Sequence, residues 1–209
     1  MHNRPIWIDD SVEAPLYKAD IAGGALMLPE SRRVARLLID GVGKEEWRRK
    51  IEQENILQKR SPSTAIRQAN LIRSRLQSTN SELWQLIVEG PSTVATQALF
   101  AAAIEHSPLL ADFLPVVRAR FRVLHSDLPR RIWIDYVERC HDVDPRMPRW
   151  EISTIDKLGD TAFRILHEVG FLTGGRRNLL RPVGIDPSII KNLKAWHHDR
   201  ALERIRVSA

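Results

Sequence analysis

Apolar residues recur at helical spacing along most of the chain. Between Ser61 and Gln77 the stripe is Ala65, Ala69, Ile72 and Leu76, with Ile66 at its border, as roughly 100° of turn per residue requires of one helix face. Ser61 stands where a cap belongs, Pro62 at the first helical position, and Ser63 and Thr64 in the first turn. The same reading predicts helices from Ser31 to about Asp40, Lys44 to Glu54, Ser81 to Glu89 and Ser92 to about Glu105. Further helices are predicted from Leu109 to about Leu124, from Pro129 onward, from Ser153 to Glu168 and from Ser188 to about Ile205. A short helix from Leu16 to Leu28 would end before Pro29. Strand signals are scarce: Phe171–Thr173 and Leu179–Leu180 flank a Gly174-Gly175-Arg176-Arg177 turn and read as a small hairpin. The fold class expected is mostly α: a helical bundle with an N-terminal helix-turn-helix and a small, winged-helix-like hairpin near the C-terminus.

The three helices ending at Gln77 have the layout of a helix-turn-helix, with the one from Ser61 as the reading helix. Its ridge opposite the apolar stripe carries Arg67, Asn70 and Ser74, flanked by Gln68 and Arg75 on one side and Arg73 and Gln77 on the other. Arg can grip phosphate or guanine through its planar fork, and Asn or Gln can pair with adenine. Residues 1–90 are expected to form this module with an acidic arm in front. Residues 91–209 would form a second helical domain with its wing at 171–183, where Arg176 and Arg177 could touch phosphates.

Charge sharpens the picture. The 209 residues carry a net +6, unevenly spread. Residues 32–77 hold twelve Lys or Arg against five acids, whereas residues 78–115 hold four acids and no base. Residues 1–31 are also net acidic, with Ile6, Trp7 and Ile8 as an apolar cluster expected to dock on the body or on a partner. A polyanion would be drawn to the 32–77 region and released by salt. Met1 to Pro15 lacks the apolar core of a signal peptide. The apolar run Val94–Ile104 is far shorter than the roughly 20 residues of a membrane span. The lone Cys140 suits a reducing cytoplasm, so a cytoplasmic protein without membrane contact is expected.

No motif points to catalysis. Cys140-His141 with Asp142 and Asp144 lacks a second Cys and the spacing of a metal site. His197-His198 reads as an exposed helix face, and no glycine-rich phosphate loop surrounds Gly23-Gly24. No enzyme activity, metal or cofactor is expected.

From Tyr17 onward the sequence resembles the BrxA family, small components of the BREX bacteriophage-exclusion systems. The similarity is carried by Tyr17 with Gly23-Gly24, Ser31-Arg32 with Leu37-Leu38, and Glu46-Trp47. It continues through Asn55-Ile56-Leu57-Gln58-Lys59-Arg60-Ser61, Thr64 and Arg75-Leu76, with a weaker match from Leu158 to Gly170. The resemblance implies a cytoplasmic, helical, non-enzymatic protein that binds DNA beside other BREX components. The family has also been likened to NusB, an all-helical RNA binder. Double-stranded DNA is thus the first partner expected. Arg67, Gln68, Asn70 and Ser74 would face the groove, with Ser63 and Thr64 at the helix start. Arg60, Arg73 and Arg75 would hold phosphates, with Arg32, Arg36, Arg48 and Arg49 behind. RNA binding and a role as protein adaptor within the defence complex are the alternatives.

Overall fold

The structure, a computed structural model, describes residues 14–208. The acidic arm and its Ile6-Trp7-Ile8 cluster lie outside the described residues. The fold is mostly helical, with one small antiparallel sheet. Helix α1 spans Leu28–Ile39 and α2 spans Lys44–Arg48, running directly into a π-helical turn at Arg49–Gln53. Then come α3 (Pro62–Gln77), α4 (Ser81–Glu89), α5 (Ser92–His106) and α6 (Pro108–Arg122). Next are α7 (Arg131–Val143) and α8 (Ile152–Val169). Strands β1 (Leu172–Thr173) and β2 (Leu179–Leu180) follow, then α9 (Pro187–Ala195) and α10 (Asp199–Arg204).

Helix α5 is the centre. Ala95 and every residue from Gln97 to Ile104 are buried, as expected of a helix that is apolar all round. Its alanines let α1, α3, α4, α6 and α8 approach it, and buried side chains from Tyr17 to Val207 join in one hydrophobic cluster. Around Phe113 on α6, Trp133 meets the ring edge-on at 4.9 Å, with Tyr136 and Phe163 beside it. Trp133 lies so close to α8 that a Cβ on Gly159 would sit 2.7 Å from its ring; that close approach requires glycine.

Two elements differ from expectation. Residues 16–27 form no helix but an extended strap with a turn at Asp20–Gly23. Its backbone polar groups are satisfied by distant side chains. Leu16 N–H donates to Asp144, Leu26 N–H to Glu168, and the carbonyls of Gly24 and Ala25 accept from Arg75. Partners supplied from α3 and α8 replace the i→i−4 bonds a helix would use. Pro29, expected to follow a helix, opens α1 instead, and Ser31 lies inside it with its hydroxyl donating to the Leu26 carbonyl.

The last helix is broken in two at Trp196–His198, with His197 at φ +53°. Tertiary contacts hold the break. A ring nitrogen of His198 lies 3.1 Å from the Asn80 amide, and Glu105 accepts the N–H of Ala201. Trp196, at the break, is half exposed, its indole donating to Glu82.

The hairpin forms as expected, Leu172 opposite Leu180 and Thr173 opposite Leu179. It also has an unforeseen third member. Leu128 N–H donates to Asn178, Leu180 N–H donates to Ser126, and Asp127 bridges Leu179. The segment after α6 is thereby stitched onto β2.

Candidate nucleic-acid interface

Helix α3 begins as its sequence dictates. Ser61 Oγ accepts from Thr64 N–H at 3.4 Å, Pro62 fills the first turn, and no carboxylate lies in that turn. Thr64 and Ala65 N–H are taken by Ser61 and Pro62 has none, so the attraction of this terminus for anions comes mainly from the helix dipole and the side chains around it. Ser63, Arg60 and Arg67 are exposed around it, and Asn70 and Ser74 continue the exposed ridge; Thr64 is half-buried. Arg60 and Arg67 have no ion-pair partner among the described residues.

The shoulders of the ridge are committed elsewhere. Arg75, expected to hold phosphate, is only 4% exposed. Its two terminal nitrogens donate to the carbonyls of Ala25 and Gly24 at 2.5 and 2.9 Å. Burial lowers the Arg75 guanidinium pKa to about 10, opposed by the charges of Asp20 and Glu168. Burial likewise raises the carboxyls of Asp20, which accepts from Ser107, and of Glu168. Arg75 is therefore a buttress, because α3 is covered by the strap as well as by α1 and α5.

Arg73 is half-buried, its guanidinium 4.7 Å above the Trp47 ring, a cation–π contact that fixes α3 to α2. Gln68 is half-buried, with its amide oxygen shielded and lacking a hydrogen-bond partner. Neither side chain stands free in a groove-facing position.

The supporting arginines divide in the same way. Arg32 was placed outward, yet its guanidinium donates to the carbonyls of Ile87 and Gly90 at 3.0 and 2.7 Å, closing the C-terminus of α4. Arg48 pairs with Glu52, and Arg49 with Glu46 and Glu54, all at exposed positions. Such pairs are weak and exchangeable, so these two arginines remain accessible to a stronger anion. Arg36 is exposed and lines a groove of about 730 Å³ between α1 and α2, with Arg32, Arg33 and Lys50 opposite Asp40 and Glu46. At the hairpin tip Arg176 and Arg177 are both exposed, in a 3-10 turn between left-handed Gly174 and Asn178.

Sequence reasoning missed the Trp47–Arg73 stack and the Asn80 node. Asn80 caps α4 through Leu83 N–H and exchanges hydrogen bonds with Asn192. The cap position of Asn80 before a clear helix was a usable signal; its pairing 112 residues away was not.

The fold and this face define a helical protein with a cationic helix N-terminus at its surface. The chain belongs to the BrxA family, whose model matches residues 15–196. It is 49% identical over 195 residues to the BREX protein BrxA of Paramagnetospirillum magneticum, covering 93% of this chain and 98% of that one. To the BREX protein BrxA of Escherichia coli O9:H4 it is 37% identical over 169 residues, covering 80% and 79%. The crystal structure of an uncharacterized protein from Magnetospirillum magneticum is similar to it with a TM-score of 0.88 and 47% identity. That match covers 93% of this chain and 100% of that one.

Proposed function

We propose that this chain is a non-enzymatic component of a BREX-type phage-defence system that binds double-stranded DNA, mainly through backbone phosphates. One observation carries the reading: the carboxylate-free N-terminal turn of α3, where Arg60, Ser63 and Arg67 stand exposed at the positive end of the helix dipole. A phosphate there meets two guanidinium groups, a hydroxyl and a helix dipole together. Asn70 and Ser74 continue the line along α3, and the short exposed ridge offers few base contacts, so sequence preference is weak. Arg36, Arg48, Arg49, Arg176 and Arg177 add positive charge within reach of solvent.

The BREX assignment follows the names of the relatives, and with it come a cytoplasmic setting and contact with other BREX components. RNA is the weaker partner. RNA readers display aromatic platforms, whereas Trp133 is buried, Trp84 donates to the Leu76 carbonyl and Trp47 lies under Arg73.

The test is an electrophoretic mobility shift with duplex DNA at two salt concentrations. The Arg60→Glu, Arg67→Glu double variant is expected to bind about tenfold or more weakly, since each reversal removes one phosphate contact and adds a repulsion. Binding indifferent to salt, a variant as tight as the parent, or RNA outcompeting duplex DNA would each refute the reading.

A further inference from the structure

The end of α6 breaks two local rules at once. The helix stops at Arg122, and the chain turns through Leu124 at φ +55°, a left-handed conformation easy for glycine and disfavoured for leucine. Leu124 is also 91% exposed, and Val123 beside it 64%. Burial compensates neither side chain for its position. A leucine held in strain and in water marks a surface built to be covered.

What covers it is set by the surrounding charge. Arg122 and His125 flank the tip, and with Phe121, Leu180, Pro182 and Ser208 they and Leu124 line a groove of about 510 Å³. Arg181, exposed, stands between Leu180 and Pro182, and Arg206, also exposed, two residues before Ser208. Of the carboxylates nearest in sequence, Asp127 is paired with Arg120 and Glu203 with Arg204, and Asp186 is engaged in capping α9 through Ser188. The apolar tip therefore sits in a cationic frame. Two residues further on, Ser126–Leu128 is stitched to Asn178–Leu180, so the tip projects from the same small sheet that carries Arg176 and Arg177.

We propose that Val123–Leu124 is a wedge that enters a DNA duplex between adjacent base pairs while Arg122, His125 and Arg181 hold the flanking phosphates. An apolar side chain in an arginine frame suits this task, because the exposed base faces accept the leucine as their stacking partner leaves. A purely electrostatic clamp gains nothing from an exposed leucine. The wedge rests on the duplex-binding reading above and adds a mode to it: the bound DNA is kinked. Flexible pyrimidine–purine steps such as TA are the preferred entry points.

The test uses the full chain and duplexes with 2-aminopurine placed beside a single TA step. Leu124→Asn is the informative variant, because asparagine tolerates the left-handed backbone while removing the apolar tip. The parent is expected to raise the fluorescence as the step unstacks. The variant is expected to lose that signal and bind about five- to tenfold more weakly, with its urea unfolding midpoint no lower than the parent's. If Leu124→Asn keeps parental signal and affinity while Arg67→Glu weakens binding, the wedge is refuted and the α3 reading stands. If the signal depends on Leu124 while the Arg60 and Arg67 variants bind normally, the wedge stands and the α3 reading falls. A parent that binds no duplex refutes both. Leu124-dependent flotation on anionic vesicles, without a duplex signal, would make the tip a membrane finger and overturn the proposal.

Discussion

Arg75 sits on the most cationic helix among the described residues and is almost sealed from solvent. Its guanidinium anchors the strap through the Gly24 and Ala25 carbonyls and faces the buried-side charges of Asp20 and Glu168. Arg75→Met removes two hydrogen bonds and one of the positive charges that offset these carboxylates, leaving Lys18 for Asp20 and Arg164 for Glu168, a loss expected to reach about 3 kcal/mol. The deficit should shrink in acid. Asp20 and Glu168 have folded pKa values raised by burial. The stability they contribute is complete below their unfolded pKa and is lost as pH rises through the folded one. Without Arg75 the folded values climb further, so the variant loses most at neutral pH. Urea denaturation at pH 7.5 and 5.5 checks this; a deficit that grows on acidification would contradict it. Gly23→Ala is a milder case. The new Cβ would lie 2.7 Å from a terminal methyl of half-buried Leu71, which can swing aside, so the cost is expected to be about 1 kcal/mol or less, read as a small fall in the urea midpoint.

Among the elements, α4 is small but serves as a junction. Asn80 caps it, and the same side chain reaches Asn192 on α9 and His198 at the α9–α10 break. Asn80→Ala loses the cap, worth about 1 kcal/mol, and strands the buried Asn192 amide, worth about 1–3 kcal/mol more. Chemical denaturation should show the combined loss, whereas Asn80→Asp should keep the cap and the acceptor for the Asn192 amide N–H and lose only the donor to Asn192 Oδ1 and His198. Trp47 plays the corresponding role for α3. Its ring carries the Arg73 guanidinium, which ties α2 to α3. The outward charges of the π-helical turn, Arg49 against Glu46 and Glu54, are compensated within the element itself. That leaves the start of α3 as the better electrostatic target.

Across the molecule, charge is concentrated rather than abundant. The chain's +6 is modest, but the exposed arginines Arg36, Arg60, Arg67, Arg176 and Arg177, outside close ion pairs, lie on α1, just before and on α3, and at the hairpin tip. If each neutralises one phosphate, log K against log salt should have a slope of about −4 to −5, at roughly 0.9 per phosphate. Fluorescence anisotropy with a duplex across a salt series measures it. A slope shallower than about −1 would mean that fewer than two phosphates are engaged. No single helix among the described residues is long and apolar enough to cross a membrane. The apolar pair α5 and α6 is bent by 113° and packed in the core.

Helix positions, the capped start of α3, the stop at Gly170 and the hairpin at 172–180 were legible because neighbouring residues decide them. Apolar period, cap chemistry and glycine turns act within a few residues. Which arginines remain in solvent was not legible in the same way. Arg67 and Arg75 lie two turns apart on one helix, yet Arg67 is exposed and Arg75 is sealed beneath a strap some fifty residues earlier in the chain. The strap looked helical because its sequence does not reveal that Arg75 and Glu168 will satisfy its backbone. The break at His197 and the exposure of Leu124 are hidden for the same reason. The sequence by itself determined where most of the helices lie, the strap and the break in the last helix excepted, and where positive charge gathers. Only the tertiary structure decided which of those charges are structural and which can meet a partner, because burial depends on residues distant in the chain.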